Sequence, residues 1–328
     1  MGGKLRLLVG IAVSAGALAL LISGIEWDLL WVALEKAEYW WLIPSALALV
    51  LAIGLKVIKW ELLLRPAGST SRANLFYSMS IGYLVSDVLP GRLGEIARVY
   101  SESRLDRLSP AAVLASVAVD RILDVAMLAI LLASVLPTAD LPPWVAQSGL
   151  LVGAGSIALL AICVLLAYPF GRGVLLGLLA RSPRFPGKKV VEELADSLCV
   201  GMQGLRGAGT LLSLGLLTLA IWLLTALMYY FAQMAFHIEA PFWASILVLC
   251  MTNLGMVVPS SPGYVGVFHY LVVLALGTFG IGREIALGYA IVVHLIGFLP
   301  VGVMGAYSLW RCGMTLTDWR KPESVRVE

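Results

Sequence analysis

The chain has 328 residues, of which 60% are hydrophobic and only 13% are charged. Soluble globular domains carry about 25% charged residues, so this composition argues against a soluble enzyme, a nucleic-acid-binding protein or a disulfide scaffold. The formal charge of +3 says little by itself. In a membrane protein the positions of Lys and Arg relative to the bilayer matter more than their sum.

Six apolar stretches meet or approach the roughly 20 residues that a helix needs to cross the hydrocarbon core. They cover residues 5–25, 41–64, 110–136, 149–168, 210–236 and 285–310. The first stretch follows Lys4 and Arg6 as a signal peptide would, but it is long enough to span a bilayer and has no evident cleavage site. We therefore expect an uncleaved first helix and one integral membrane domain over residues 1–328.

Two further apolar regions, residues 74–100 and 242–278, are interrupted by proline and glycine. Such a break leaves backbone groups that lipid cannot satisfy, so it must be buried in protein or line a wet cavity. We predict a re-entrant helical hairpin for each region, with two full spans as an alternative for the second. The residues that form the breaks are Pro90, Gly91 and Gly94 in the first region and Pro259, Pro262, Gly263 and Gly266 in the second.

The basic residues predict the orientation, because cytoplasmic loops are enriched in Lys and Arg. The segments around Arg72 and Arg104, the connection 171–209 and the tail 312–328 are all basic, whereas loops 24–40, 137–147 and 237–240 are not. Both termini are therefore predicted to be cytoplasmic, in a cell membrane of the bacterial inner-membrane type. On this assignment the first hairpin enters from the cytoplasm and the second from outside.

The resulting order is helix, helix, hairpin, helix, followed by the same order in the opposite orientation. We predict an all-α polytopic membrane protein with six full transmembrane helices plus two re-entrant hairpins. Residues 1–136 and 149–311 form an inverted repeat, joined by amphipathic cytoplasmic helices within 171–209. Inverted repeats with broken helices in corresponding positions are typical of transporters whose site lies near the midplane, although such a fold can also exist without transport.

Ionisable side chains cluster within and beside these apolar segments. Each costs about 2.5–3.5 kcal/mol at membrane depth on insertion scales, so such residues usually face protein or water. Asp120 and Asp124 share one helical face, and Arg121 lies three residues before Asp124. The full set comprises Asp87, Arg92, Glu95, Arg98, Asp120, Arg121 and Asp124.

Two interpretations of this cluster are open. In the structural one, the charges neutralise each other and lock the first hairpin to the neighbouring helix. In the functional one, Arg92, Arg98 and Arg121 hold a lipid phosphate, because arginine suits bidentate contacts with phosphate. The acidic residues would then orient the arginines and couple ligand release to protonation.

Three motifs carry a family resemblance: Leu89-Pro90-Gly91-Arg92-x-Gly94-Glu95-x-x-Arg98, then Asp120-Arg121-x-x-Asp124, then Pro259-x-x-Pro262-Gly263-x-x-Gly266. In this order they resemble the lysylphosphatidylglycerol synthase transmembrane-region family, which includes flippase domains and stand-alone flippase-like proteins. The resemblance implies re-entrant hairpins and the handling of lipids or lipid-linked groups. It places Arg92, Glu95, Arg98, Arg121 and Asp124 in the functional cavity.

The chain departs from the family pattern in two ways. Only 17 residues follow Arg311, where the synthases carry an aminoacyl-transferase domain, so we expect no lipid aminoacylation by this chain alone. A glutamate that often follows the second break is replaced by Val267-Phe268-His269. His269 is therefore a candidate for proton coupling, together with Asp87.

The leading hypothesis is a flippase-like transporter that moves a phospholipid or a lipid-linked phosphate across the membrane. The alternative is a membrane-embedded accessory subunit or enzyme component that binds lipid head groups for modification by a separate lipid-modifying enzyme. A third is a structural protein with an ion-pair core. We expect lipid and membrane as partners, no nucleic acid and no cofactor. We also expect no metal site, because the four cysteines are scattered singly.

Overall fold

The protein is described here as a computed structural model that covers residues 3–89, 93–138, 143–181, 188–255 and 261–318. Within these ranges it forms thirteen α-helices and no strand. The helices are α1 (Gly3–Ile22), α2 (Trp27–Glu35), α3 (Leu42–Leu64), α4 (Arg72–Val88), α5 (Gly94–Leu105), α6 (Pro110–Val135), α7 (Pro143–Ala167), α8 (Pro169–Arg181), α9 (Lys188–Met202), α10 (Ala208–Ala235), α11 (Phe242–Gly255), α12 (Val267–Gly277) and α13 (Arg283–Cys312).

Three helical segments in the described ranges are individually long and apolar enough to cross a membrane: Tyr39–Leu64, Ala208–Ala235 and Arg283–Cys312. Two further pairs, α1 with α2 and α7 with α8, bend by 90° and 92°, and counting each as one span gives up to five. Helix α6 has 26 residues, a sufficient length, but three charged residues near its middle make it less apolar. The prediction of an all-α polytopic membrane protein is therefore confirmed at the level of an all-helical chain with several membrane-length helices.

The first broken region is an antiparallel helical hairpin formed by α4 and α5. Asn74 Nδ2 near the start of α4 donates to Asp106 just after α5, at 2.5 Å. Near the tip, a Cβ atom on Gly94 would lie 2.0 Å from both the Gly82 carbonyl oxygen and Ser86 Oγ. Only glycine permits this contact between the two arms. The two arms are thus in contact both at the open end and near the tip, as in a helical hairpin.

The second broken region pairs α11 with α12, and its loop packs against the amino-terminal helix. The Ser261 amide donates to Ser14 Oγ of α1 at 2.8 Å. Gly266 has a φ of 90°, which favours glycine, and a Cβ there would lie 2.5 Å from the Ser14 carbonyl oxygen. The two breaks also approach each other, because a Cβ on Gly263 would lie 3.9 Å from the Asp87 carbonyl oxygen.

Two large apolar clusters fill the interior. One joins the ends of α6 and α10 to α11, α12 and α13 and includes Trp222, Phe236 and Tyr289. The other joins the last turns of α3 to α4 and the first half of α6 and includes Trp60, Leu75 and Val113. The charged segment of α6 lies where the second cluster ends along that helix, at Leu123, and just before the first cluster begins, at Leu128. A polar site is therefore held between two apolar layers.

Candidate functional site

Lys59 of α3 is the centre of a buried ion-pair network. Its Nζ lies 2.7 Å from Asp120 Oδ1 and 2.6 Å from Asp124 Oδ1. The two carboxylates reach the same ammonium group because their i,i+4 spacing places them on one face of α6. The Lys59 side chain is 1% exposed and each aspartate 6%. These charges are almost completely buried, so they are stabilised mainly by one another.

Arg98 joins the first hairpin to this network. Its Nη1 donates to Asp120 Oδ2 at 3.0 Å, and its guanidinium carbon lies 3.7 Å from the centroid of the Trp60 ring. Trp60 is itself held by a hydrogen bond from Nε1 to Ser116 Oγ at 3.0 Å. Nε and Nη2 of Arg98 are buried and have no acceptor among the described residues. Arg98 thus links α5 to α3 and α6 and retains unused donors.

The network becomes accessible at the pair formed by Arg121 and Glu95. Arg121 Nε lies 2.6 Å from Glu95 Oε1, and Arg121 Nη1 lies 3.5 Å from Asp124 Oδ2. The Arg121 side chain is 38% exposed and that of Glu95 is 33% exposed. Glu95 also lies 4.0 Å from Arg98 Nη1. The structure therefore brings together all the predicted charged residues that it describes on α5 and α6, with an interior half and an accessible edge.

This network is balanced in formal charge. Its cations are Lys59, Arg98 and Arg121, and its anions are Glu95, Asp120 and Asp124. Balance explains how six ionised groups persist among apolar helices, since each has a partner of opposite sign within 4.0 Å. The structural interpretation of the cluster, an ion-pair lock between hairpin and helix, is thus physically sound for its interior half.

Sequence reasoning missed Lys59 and its neighbour Lys56, which both lie in the predicted second span. The available signal was two lysines three residues apart in an otherwise apolar stretch, because an intramembrane cation needs a partner or water. Lys56 is half-buried, and its Nζ lies 5.5 Å from the centroid of the Tyr83 ring and 5.3 Å from that of the Trp222 ring. No described carboxylate lies within ion-pair distance of Lys56.

The other predicted site residues lie apart from the network or outside the described residues. Asp87 is half-buried at the end of α4, where the two breaks meet. His269 is buried at the start of α12, its ring centroid 5.0 Å from that of His294, and its Nδ1 accepts from the Gly266 amide at 3.4 Å. Four predicted residues fall outside the described ranges: Pro90, Gly91, Arg92 and Pro259.

Comparison with known proteins gives the family of this chain. The model of the family described as "Lysylphosphatidylglycerol synthase TM region" matches residues 7–305. A "UPF0104 membrane protein" from Methanothermobacter thermautotrophicus is 29% identical over 126 residues, which cover 36% of this chain and 38% of that protein. The match thus spans well under half the length of that relative. Because the family model covers nearly the whole chain, including both broken regions and the six charged residues of the network, the protein belongs to the lysylphosphatidylglycerol synthase transmembrane-region family.

Proposed function

We propose that this protein is a flippase-like transporter that moves a phospholipid or a lipid-linked phosphate across the membrane. The observation that carries the proposal is the Arg121–Glu95 edge, where a buried ion-pair network reaches an accessible surface in the middle of an apolar helix. A static lock needs no exposed arginine at this depth. A phosphate at the edge accepts hydrogen bonds from Arg121, and Glu95 is the group that it displaces.

The unused donors of Arg98 support the same proposal. Two buried guanidinium nitrogens without a described acceptor leave hydrogen-bonding capacity next to Glu95. Arg98 itself is locked to Asp120, so we assign it to positioning and give Arg121 the direct contact with phosphate. Arg92 remains part of the proposed site by its place in the motif.

The proposed mechanism also uses the predicted inverted repeat. Each half has a long apolar helix followed by a bend of about 90°, namely α1 with α2 and α7 with α8. Each half then has a long helix, a broken pair and a final long helix, and in the second half α9 is inserted before the first of these. This correspondence supports six crossings plus two re-entrant hairpins, with alternate opening of the two hairpins toward opposite sides of the membrane.

The test is transbilayer movement in liposomes that contain the purified protein. The probes are a labelled anionic phospholipid and a labelled polyprenyl phosphate, each with and without a proton gradient. The variant Arg121→Gln removes the phosphate contact and is expected to slow movement about tenfold or more, a barrier increase of about 1.4 kcal/mol. The matched control is Arg72→Gln, because Arg72 forms an exposed pair with Glu61 at 2.8 Å and is expected to behave as the parent protein.

A charge-swapped pair separates a phosphate site from a lock. Glu95→Arg combined with Arg121→Glu keeps the ion pair but moves its positive charge to the hairpin. The exchange also sets a carboxylate beside Asp124 and a guanidinium group beside Arg98, so the unfolding temperature is measured together with transport. If the pair is only a lock, the folded fraction of the swapped protein keeps transport, whereas a phosphate site loses transport even in folded protein. Absence of movement by the well-folded parent protein for both lipids, or transport by Arg121→Gln at the parental rate, contradicts the proposal. The first of these results favours the accessory-subunit function.

A further inference from the structure

Lys56 differs from every other described cation near membrane depth. Lys59, Arg98 and Arg121 each have a carboxylate oxygen within 3.0 Å. Lys56 has none within ion-pair distance in the described part of the chain, and its ammonium group lies near two aromatic rings. The buried carboxyl group of Glu102 does not fill this role, because neither of its oxygens is bonded to a described residue. Lys56 thus carries a positive charge outside the balanced network.

The aromatic contacts do not offset the cost of this charge. A lysine at the centre of a membrane helix costs about 2.5–3.5 kcal/mol on insertion scales, whereas a cation–π contact contributes about 0.5–2 kcal/mol. The distances of 5.3 and 5.5 Å to Trp222 and Tyr83 lie near the outer limit of such contacts. Lys56 also lies about 12 Å from the Leu64 end of α3, at a rise of 1.5 Å per residue, so its side chain does not reach that end.

Tyr83 connects Lys56 to the accessible edge of the network. Its ring is a neighbour of the Lys56 ammonium group, and Tyr83 is also one of the ionisable residues that surround Arg121. Tyr83 is therefore near two cations, and one of them, Lys56, has no described counter-charge. An anion placed at Tyr83 is attracted to both cations and meets a hydroxyl donor.

We infer that Lys56, Tyr83 and Trp222 form an anion subsite that receives the phosphate of the lipid substrate beside Arg121. Lys56 supplies the unpaired charge, Tyr83 donates a hydrogen bond, and the buried Trp222 ring forms the apolar wall of the subsite. This assignment rests on the proposed function for the source of the phosphate. The subsite itself rests only on the unpaired cation and its neighbours.

The experiment measures equilibrium binding to the purified full chain in neutral detergent, apart from any transport. The probes are dioctanoyl phosphatidylglycerol, inorganic phosphate and, as a phosphate-free control, dioctanoylglycerol. Lys56→Gln is expected to raise the Kd for the phospholipid about tenfold or more, whereas Lys56→Arg keeps the charge and stays within about threefold of the parent protein. Lys36→Gln, at an exposed lysine after α2, is the control variant and is expected to bind as the parent does.

Each outcome supports or overturns the subsite. Equal phospholipid affinity of Lys56→Gln and the parent protein, or equal binding of dioctanoylglycerol, overturns it. Weak binding by folded Lys56→Gln with recovery in Lys56→Arg supports it, and displacement of the lipid by inorganic phosphate identifies a free anion as a ligand of the same subsite. Charge-dependent binding without lipid movement in liposomes leaves the subsite standing and removes the transport proposal. Lipid movement with unchanged affinity of Lys56→Gln removes only the subsite.

Discussion

At the scale of single residues, two lysines three positions apart in α3 have different surroundings. Lys59 lies between two aspartates and is 1% exposed, whereas Lys56 is half-buried against aromatic rings. Loss of a buried ion partner leaves uncompensated charge in a medium that solvates it poorly, whereas loss of an unpaired charge does not. Stability and ligand binding should therefore depend on different lysines.

Lys59→Met is expected to lower the free energy of unfolding by about 3 kcal/mol. This value is at the lower end of the range for broken buried ion pairs, because Arg98 and Arg121 still compensate part of the charge of the two aspartates. Lys56→Met is the matched control and is expected to change the free energy of unfolding by less than about 1 kcal/mol. Thermal unfolding in detergent measures both. Adding Asp124→Asn to Lys59→Met should restore part of the loss, and a Lys59→Met protein as stable as Lys56→Met contradicts the assignment of Lys59 to the lock.

At the scale of elements, the first hairpin is held together by a close approach of its two helices and by the ion pairs that its second arm makes. Gly94 lies against the Gly82 carbonyl near the tip, and Arg98, one turn further along α5, enters the network. A shift of α5 away from α4 therefore also moves Arg98 and Glu95 relative to α6. The hairpin contact positions the proposed phosphate site.

Gly94→Ala is expected to destabilise the protein by about 1–3 kcal/mol, the usual cost of overpacking, because its Cβ would lie 2.0 Å from backbone and side-chain atoms of α4. The control is Gly54→Ala in α3, where a Cβ meets nothing within 4 Å and alanine favours the helix. Unfolding temperatures and lipid movement are measured for both. An unchanged unfolding temperature in Gly94→Ala would show that the two arms are not in close contact at this position.

At the scale of the whole molecule, the open end of the first hairpin and the carboxyl-terminal ends of α2 and α10 provide markers for the two predicted sides of the membrane. Arg72 and Arg104 are exposed near the ends of α4 and α5. Glu38 and His237 are exposed neighbours, with His237 Nε2 3.9 Å from Glu38 Oε1. A re-entrant hairpin requires Arg72 and Arg104 to face the same compartment, opposite to Glu38 and His237.

Single cysteines at these four positions should label accordingly with a membrane-impermeant maleimide in vesicles of known orientation. We expect Arg72→Cys and Arg104→Cys to react from the cytoplasmic side, and Glu38→Cys and His237→Cys from outside. The half-exposed native Cys312 must be replaced first, whereas burial raises the pKa of the Cys199 thiol in α9 and makes it less reactive. Labelling of Arg72→Cys and Arg104→Cys from opposite sides contradicts the re-entrant hairpin.

Much of this architecture follows from local properties of the sequence. The apolar stretches predict membrane-length helices, the Pro-Gly breaks predict the interruption between α4 and α5, and the i,i+4 spacing predicts that Asp120 and Asp124 share a face. All three depend on helix periodicity or backbone chemistry within about 20 residues, which a sequence displays directly. The family follows from the same motifs, and the match over residues 7–305 confirms it.

Only the tertiary structure decided which charges are partners. Lys59 and Asp124 are 65 residues apart, and no periodicity in either helix indicates that they meet. Packing of α3, α5 and α6 also determines that Arg98 is buried, that Arg121 and Glu95 form the accessible edge, and that Lys56 has no described ion partner. The sequence by itself determined a helical membrane protein with polar breaks and intramembrane charges, because those properties are local. The division of the charges between a lock and a proposed binding edge depends on contacts between distant helices, so it required the fold.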